Sequence, residues 1–363
     1  MPTKLAVFLT CATLALAEKK AIRPPAGPSS GPYSAGVMTE KLLYVSGHVG
    51  PEPGGGFAPF DIKTQTRRAL DLVAKVVKEA GLDTRNIVST TLYLTDIRTL
   101  DAADAAYREF FQEPYPARVE IESQLLIPEA LVEVSAVAVR GDWRAIEPEG
   151  WAKPKRPASH AALAGGTLFF SSLRPVDPAT GALAGNAIEQ QVAQTVRNQQ
   201  AALAAAGMKL AGMAATRIYL GDSSYSASLG EVHASARAIV SGTPFEPGHL
   251  VHMQSVAARG SSGTLYLPGI TGRTADGKFA RNDIKAQTRQ ALATIEETLK
   301  RHGMTFADAI DAVVWLRDPR HASAMNEVYR EIVKPNPPAR ATVRLSPTDP
   351  DALIEIMMIA HKP

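Results

Sequence analysis

Two arginine–glutamate pairs at one common spacing are the residues of this chain best suited to chemistry. Arg118 precedes Glu133 by fifteen residues, and Arg340 precedes Glu355 by the same interval. A guanidinium can hold a carboxylate through two parallel hydrogen bonds, and a buried glutamate can orient or activate a water molecule. Each pair could equally be a structural ion pair that fixes two adjacent strands, and the residues alone leave both interpretations open.

The pairs recur because the chain contains an internal repeat. Residues 61–67 (DIKTQTR) return as residues 283–289 (DIKAQTR), an offset of 222, which also relates Tyr44 to Tyr266 and both glutamates of the pairs. A weaker middle copy matches Tyr93 to Tyr219 at an offset of 126. Three copies of one unit are therefore predicted.

Periodicity within copy one predicts the order ββαβαββ. Residues 62–80 place apolar side chains on one helical face and lysine or arginine on the other, and Gly81 is suited to end that helix. A short strand is predicted to end at Gly47, further strands are predicted at residues 88–94, 118–123 and 130–139, and a second helix is predicted at residues 101–111. Each copy is therefore expected to be an α+β layer with its helices on one face of a sheet.

The predicted boundaries follow the copies. Proline, glycine and mixed charges at residues 142–157 indicate a linker between copies one and two, and no comparable linker separates copies two and three. We divide the chain into a signal peptide at residues 1–17, an extended lead-in at 18–32, repeat one at 33–141, the linker at 142–157, a degenerate repeat two at 158–256 and repeat three at 257–363.

The N-terminus has the order of a secretory signal peptide. Lys4 is followed by an apolar stretch over residues 5–14 and by the triplet Ala15-Leu16-Ala17. Cleavage after Ala17 would place the mature protein in the periplasm or outside the cell. It would also remove Cys11, the single cysteine of the chain.

Composition narrows the functional classes. The 363 residues contain 39 Lys+Arg and 36 Asp+Glu, a formal charge of +3 that is too small and too evenly spread to favour a nucleic-acid partner. A metal site at His249 and His252 is not expected, because two strand residues three apart point to opposite faces and no nearby carboxylate completes a site.

Several motifs of copy one together resemble the RidA/YjgF/UK114 family of reactive-intermediate deaminases. They lie over residues 31–140 and comprise Gly31-Pro32-Tyr33-Ser34, Leu43-Tyr44-Val45-Ser46-Gly47, Gln65-Thr66-Arg67, Leu92-Tyr93-Leu94-Thr95-Asp96, Pro116-Ala117-Arg118 and Leu131-Val132-Glu133-Val134. The resemblance implies a chorismate-mutase-like fold, a trimer with clefts between subunits, and cofactor-independent hydrolysis of 2-imino or 2-enamino acids to 2-keto acids and ammonia.

The resemblance also implies roles for single residues. Arg118 and Arg340 would bind the substrate carboxylate, and Glu133 and Glu355 would position water. The residues that would line the pocket are Tyr33, Ser46, Gly47, Gly269 and Asn326.

Copies two and three depart from this pattern. Copy three has no equivalent of Tyr33, and Pro268 replaces Ser46. In copy two, Ser172 replaces Gly47, and two histidines stand ambiguously where the arginine and glutamate are expected. No family-type activity is therefore expected from the residues of copy two.

Three copies in one chain predict a monomeric intramolecular pseudo-trimer with unequal clefts and a small carboxylate-bearing substrate. No membrane association is expected after signal cleavage. The alternatives that remain open are a non-catalytic carboxylate-binding protein, an endoribonuclease-type relative and a chorismatase-like relative.

Overall fold

The structure is a computed structural model that describes residues 19–23, 31–230, 232–243, 246–260 and 263–363. The predicted signal peptide at residues 1–17, Cys11 included, and about half of the predicted lead-in lie outside the described residues. Within the described part of the chain, no helix combines the length and the apolar character needed to cross a membrane.

Copy one forms a six-stranded sheet with two helices on one face. Its strands are β1 (Lys20–Ile22), β2 (Gly36–Met38), β3 (Leu42–Val49), β4 (Ile87–Leu94), β5 (Ala117–Glu122) and β6 (Val132–Val139), in the spatial order β1-β2-β3-β6-β4-β5. The helices are α1 (Ile62–Glu79) and α2 (Leu100–Phe110). Asp61 caps α1 by accepting from the Thr64 backbone N–H, and the buried face of α1 packs on the sheet. The predicted ββαβαββ order is present in this copy.

Copy two has its own sheet but only one helix among the described residues. Its strands are β7 (Trp143–Ile146), β8 (Ala161–Ala164), β9 (Thr167–Phe170), β10 (Met213–Leu220), β11 (Ala236–Ser241) and β12 (Val251–Ala258). Helix α3 (Ile188–Ala205) corresponds to α1, whereas a short 3-10 segment, Ser223–Ser228, stands where α2 would be. Strand β7 lies inside the predicted linker at residues 142–157 and pairs with β8, so part of that linker belongs to the second sheet.

Copy three repeats the second half of copy one closely. Its strands are β13 (Thr264–Tyr266), β14 (Ile270–Thr271), β15 (Ala309–Leu316), β16 (Ala339–Arg344), β17 (Ser346–Pro347) and β18 (Ile354–His361), with helices α4 (Ile284–Arg301) and α5 (Ala322–Ile332). Residues 258–260, which correspond to β2, contain the end of β12 and no strand of copy three. Strand β17 leaves its copy and pairs with β11.

Strand order corrects one expectation about the arginine–glutamate pairs. Strands β5 and β6, which carry Arg118 and Glu133, are separated by β4, and β16 and β18 are separated by β15 in the same way. The expectation that each pair lies on adjacent strands is wrong. The crossover places each arginine strand beyond β4 or β15, away from its own glutamate strand.

The arginine strand of each copy instead contacts the next copy. The Ser159 backbone donates to Pro116 O, the Gly269 backbone to Arg237 O, and the Ser34 backbone to Pro338 O. The contacts therefore run from copy one to two, from two to three and from three back to one.

One apolar cluster takes residues from all three sheets, and it includes Tyr93, Tyr219 and Trp315 at equivalent positions of the three copies. The predicted α+β class and three-repeat pseudo-trimer are confirmed.

Candidate active site between copies one and three

Three clefts lie where an arginine strand meets the next copy. We name them by the copies that form them: the 3–1 cleft beside Arg340, the 1–2 cleft beside Arg118 and the 2–3 cleft beside Arg237. Each arginine occupies the same register position in its sheet. Arg340 pairs with Ala312, Arg118 with Thr90 and Arg237 with Thr216 on the neighbouring strand. The residues around them differ, and so does their chemistry.

The 3–1 cleft brings Arg340 of copy three toward Glu133 of copy one. Both residues are buried, at 4% and 8% exposure, and each contributes to the electrostatic environment of the other. Arg340 Nη2 donates to Asn326 Oδ1 at 2.7 Å, whereas its Nη1 is buried with no hydrogen-bond partner among the described residues. A buried donor without a partner is costly, so this guanidinium is suited to receive a ligand anion.

Two tyrosines flank the same guanidinium. The Arg340 Cζ lies 4.7 Å from the ring centroid of Tyr329 and 5.3 Å from that of Tyr33. Tyr329 is fully buried beneath the site, while Tyr33 of copy one is partly exposed. The faces of the two tyrosine rings stabilise the guanidinium cation. The N–H groups of Arg340, which lie in the plane of the guanidinium, remain available to other partners.

Burial shifts both charged groups of the 3–1 cleft toward their neutral forms. Burial raises the pKa of Glu133 to about 8, against the opposing effects of Arg340 and a hydrogen bond from the Thr342 backbone. Burial also lowers the pKa of Arg340, against the opposing effects of Tyr329, Tyr33 and Glu133. At neutral pH a large fraction of Glu133 therefore holds its proton, and the cleft carries a positive charge.

Ser46 and Gly47 support this arrangement. The Ser46 hydroxyl donates to Ser34 O at 2.6 Å and accepts from the Arg340 backbone N–H at 2.8 Å, so it fixes the arginine strand of copy three. Strand β3 shifts its pairing with β6 around Ser46 and Gly47, as bulges beside functional sites often do. A Cβ at Gly47 would lie 1.7 Å from Glu133 Oε1; only glycine leaves room for this carboxylate.

The 1–2 cleft holds its arginine in a different state. Arg118 is fully buried; its Nε donates to Glu120 Oε1 at 2.8 Å and its Nη2 to Asp104 Oδ1 at 2.7 Å. Burial alone would lower the pKa of Arg118, but the charges of Glu120 and Asp104 hold that pKa above its usual value. Arg118 is therefore paired with two acids of its own copy, although its Nη1, like that of Arg340, is buried without a hydrogen-bond partner among the described residues. The structure places Arg340 rather than Arg118 beside Glu133, and the carboxylate-binding role of Arg118 stays a prediction.

Two exchanges between the copies account for this contrast. Asp104 corresponds to Asn326 and Glu120 to Thr342, at the offset of 222. Copy one therefore surrounds its arginine with two acids, whereas copy three offers an amide and a hydroxyl. Among the described residues, no carboxylate oxygen lies within 4.0 Å of the Arg340 guanidinium.

Glu120 is expected to stabilise the fold strongly. Its carboxylate also accepts from Ser172 Oγ at 2.8 Å and lies 3.5 Å from Arg174 Nη2. Burial would raise its pKa, but Arg118 and Arg174 hold that pKa at about 2. Removing one partner of a buried pair costs about 3–5 kcal/mol, so Glu120→Gln should lower the free energy of unfolding by that amount in urea titrations.

A matched control for this prediction is Glu331→Gln. Glu331 also pairs with an arginine, Arg289, through two hydrogen bonds, but both side chains are more than half exposed. Surface pairs contribute about 0–1 kcal/mol. Equal, small effects of the two substitutions would contradict a structural role for the Glu120 pair.

The 2–3 cleft contains Glu355 and Gly269 of copy three beside the arginine strand of copy two. Glu355 Oε1 accepts from the Ile239 backbone N–H at 3.4 Å, and burial raises the pKa of Glu355 to about 8. A Cβ at Gly269 would lie 1.9 Å from Glu355 Oε1, as at Gly47. However, Arg237 is exposed, and copy two has no second helix among its described residues to supply the counterparts of Asn326 and Tyr329.

Arg237 was not predicted from the sequence as a counterpart of Arg118. Both Arg237 and His252 stand at an offset of 119 from Arg118 and Glu133, and the strand registers confirm those equivalences. The loss of seven residues at the missing helix shifts the offset from 126 to 119. The dipeptide Ala236-Arg237 repeats Ala117-Arg118 and was the sequence signal that could have identified Arg237. The strand registers also show that His252, rather than His249, is the counterpart of Glu133.

The structure also corrects the expectation for the histidines. His249 precedes β12 rather than lying within it, and its Nδ1 is 3.0 Å from His252 Nε2. Glu246 supplies a nearby carboxylate, with Oε2 at 3.3 Å from His249 Nδ1 and 3.8 Å from His252 Nε2. The two imidazoles therefore share one face with a carboxylate.

Comparison with known proteins gives the family. The model of the family described as Endoribonuclease L-PSP matches three times, at residues 24–140, 152–247 and 248–362. The chain belongs to this family, the RidA/YjgF family that the motifs of copy one resemble.

Its relatives correspond to about one copy. The 2-iminobutanoate/2-iminopropanoate deaminases of Capra hircus and Mus musculus are 34% and 33% identical to this chain, over 31% and 34% of its length and 82% and 93% of theirs. The solved structure of the Escherichia coli YjgF gene product is 34% identical, covers 34% of this chain and 99% of its own, and has a TM-score of 0.32.

Proposed function

We propose that this protein hydrolyses 2-imino or 2-enamino acids to 2-keto acids and ammonia in the 3–1 cleft. The observation that carries the proposal is the meeting of Arg340 and Glu133 across the interface of copies three and one. Relatives of single-copy length carry the name of this activity, which supports the reaction class.

Arg340 would hold the substrate carboxylate. Its guanidinium has a buried Nη1 with no partner among the described residues and a neutral neighbour, Asn326. A carboxylate that accepts from this fork supplies the anion that the buried cation otherwise lacks. Tyr33, at the mouth of the cleft, would cover the bound carboxylate and the guanidinium.

Glu133 would carry the proton. The imine nitrogen is protonated by solvent, and ionised Glu133 takes a proton from water as the water oxygen attacks the imine carbon. Glu133 gives that proton to the amino nitrogen of the resulting carbinolamine. It then takes up the hydroxyl proton as the C–N bond breaks and the C=O bond forms, and releases it to solvent, so that one water is consumed and one ammonia is released. A carboxyl with a pKa of about 8 has both forms available near neutral pH.

The cleft is complete within one chain, and we propose that the monomer is the active unit. The predicted signal peptide would place the reaction outside the cytoplasm, where the substrate would be an imino acid formed or released there.

The test is the release of 2-keto acid and ammonia from freshly generated 2-iminobutanoate and 2-iminopropanoate by the full chain. Acceleration over the uncatalysed rate is expected, with Glu133→Gln slower by about 10²- to 10⁴-fold, the usual contribution of a general acid–base group. Glu355→Gln is the matched control, because it has the same burial and the same neighbouring glycine in the 2–3 cleft; we expect its activity to be unchanged.

Three outcomes would contradict the proposal. One is the absence of acceleration in folded protein across several side-chain sizes. Another is loss of activity in Glu355→Gln with retention in Glu133→Gln, which would move the reaction to the 2–3 cleft. The third is tight binding of a carboxylate that is recovered unchanged, which would indicate a binding protein instead.

A further inference from the structure

The 1–2 cleft contains a cluster of ligand-type side chains that the proposed hydrolysis does not use. Glu246, His249 and His252 bring one oxygen and two nitrogens within 4.8 Å of one another. His252 is buried, His249 is nearly so, and Glu246 is partly open to solvent. The cluster is therefore anchored in the protein and accessible on one side.

The spacing of these atoms fits one face of a tetrahedral metal site. The three separations are 3.0, 3.3 and 3.8 Å. Zinc bound by imidazole nitrogen and carboxylate oxygen at about 2.0–2.2 Å requires ligand atoms about 3.3–3.5 Å apart in a tetrahedron. Small side-chain rotations would bring all three atoms to equal separations.

The two imidazoles also contact each other directly, with His249 Nδ1 3.0 Å from His252 Nε2. A direct hydrogen bond between the two rings would explain their contact without a metal, and the test below separates these two explanations.

A hydrogen bond outside the cluster orients its carboxylate. Arg174 Nη1 donates to Glu246 Oε1 at 2.8 Å. The second carboxylate oxygen, Oε2, faces the two histidines. Carboxylates and histidines that bind metals are commonly held by such outer hydrogen bonds. Arg174 also lies near Glu120, and the ionised acids Glu120 and Glu246 compensate its charge.

We propose that Glu246, His249 and His252 bind one divalent transition-metal ion of the zinc class. Two imidazoles and one carboxylate favour zinc or its spectroscopic substitute cobalt over calcium or magnesium. His252 occupies the position of Glu133 in the other cleft, so this degenerate copy exchanges the acid for a metal ligand. Three protein ligands leave the fourth tetrahedral position for water or a small anion.

The experiment is titration of the full chain with Co²⁺, after treatment with a chelator and without a polyhistidine tag. One equivalent is expected to bind with the visible absorption of tetrahedral cobalt, and one equivalent of Zn²⁺ should remove that absorption. Glu246→Gln and His249→Gln should each weaken Co²⁺ binding at least about 10-fold. His302→Gln is the control, because His302 lies exposed at the end of α4, where its ring nitrogen is 2.9 Å from the Thr298 carbonyl oxygen.

The cobalt titration distinguishes a metal site from a simple hydrogen bond between the two histidines. Loss of the cobalt spectrum in the two cluster variants but not in His302→Gln supports the site. No binding by folded protein, or binding that persists in both variants, overturns it. Since the 3–1 cleft contains none of these residues, imino acid hydrolysis should be equal in Glu246→Gln and the parent protein, so failure of one proposal does not imply failure of the other.

Discussion

Arg340→Ala is expected to reduce kcat/KM for 2-imino acid hydrolysis by about 10²- to 10³-fold. The substitution removes a buried, charge-assisted hydrogen-bond partner of the substrate carboxylate, which costs about 2–5 kcal/mol, and each 1.36 kcal/mol corresponds to a factor of ten. The carboxylate is bound in both the ground state and the transition state, so most of the loss should appear as a higher KM.

Two further variants make this prediction specific to the fork of Arg340. Arg340→Lys keeps the charge but not the paired donors, and its kcat/KM should fall between those of the alanine variant and the parent. Arg237→Ala removes the arginine at the same register position of copy two, where the side chain is exposed. Its activity should equal that of the parent.

Calorimetric binding of the product 2-keto acid gives a second, independent readout. The parent protein should bind it and Arg340→Ala should not, whether or not turnover is measurable. Retention of both binding and activity in Arg340→Ala would remove the carboxylate-binding role from the 3–1 cleft. Arg118→Ala is unsuited to this comparison, because it removes the cation that the buried acids Asp104 and Glu120 share, leaving them only Arg156 and Arg174, and so threatens folding.

The sequence was sufficient for the repeat and for the elements of copy one, whereas the absence of a second helix among the described residues of copy two was not predicted. The offset of 222 runs without a gap from copy one to copy three, and helices α1 and α4 have the same length of 18 residues. Amphipathic periodicity depends on local spacing alone, which explains why the order of strands and helices could be predicted from it.

The partner of each arginine could not be predicted from its spacing to a glutamate. Fifteen residues separate Arg118 from Glu133 and Arg340 from Glu355, but this interval reflects the repeated unit and not a contact. Chain crossovers place the arginine strand at the edge of its sheet, and only the packing of three copies shows that Arg340 faces Glu133.

The difference between Arg118 and Arg340 was visible in the sequence but had no meaning without geometry. Asp104 lies on helix α2, and Glu120 lies two residues after Arg118 on strand β5. Acidic residues at such positions are common in proteins, so neither stands out in the sequence. Their contacts with one guanidinium turn it into a structural cation, whereas Asn326 and Thr342 leave its counterpart available.

Glu133→Gln and Glu355→Gln are each expected to stabilise the protein at pH 8 and above, although the first is also expected to slow the proposed reaction by about 10²- to 10⁴-fold. Burial raises the pKa of both carboxyls to about 8, from an ordinary value of 4.5. Below about pH 4.5 both groups are protonated in the folded and unfolded states. Between pH 4.5 and 8 the unfolded chain loses these protons while the folded protein keeps them.

The sign of the effect follows from this difference. The folded state binds more protons than the unfolded state in that window, so each group lowers the free energy of unfolding as pH rises, by about 1.4 kcal/mol per pH unit. Above the folded-state pKa of about 8, the free energy of unfolding falls no further, because both states have then lost the proton. Glutamine does not titrate and fits nearly the same space, so it removes this slope.

Urea titrations of the parent and of each variant from pH 5 to pH 9 provide the measurement. The variants should exceed the parent by less than about 1 kcal/mol near pH 5 and by several kcal/mol near pH 8. Glu109→Gln, at an exposed pair with Lys63, should show no pH-dependent difference. A parent and a Glu133→Gln variant with parallel profiles would mean that Glu133 ionises normally, and the proton-carrying role near neutral pH would lose its physical basis. Parallel gains in both cleft variants, with activity lost only in Glu133→Gln, would show that the protein retains a destabilising buried acid for its reaction in the 3–1 cleft.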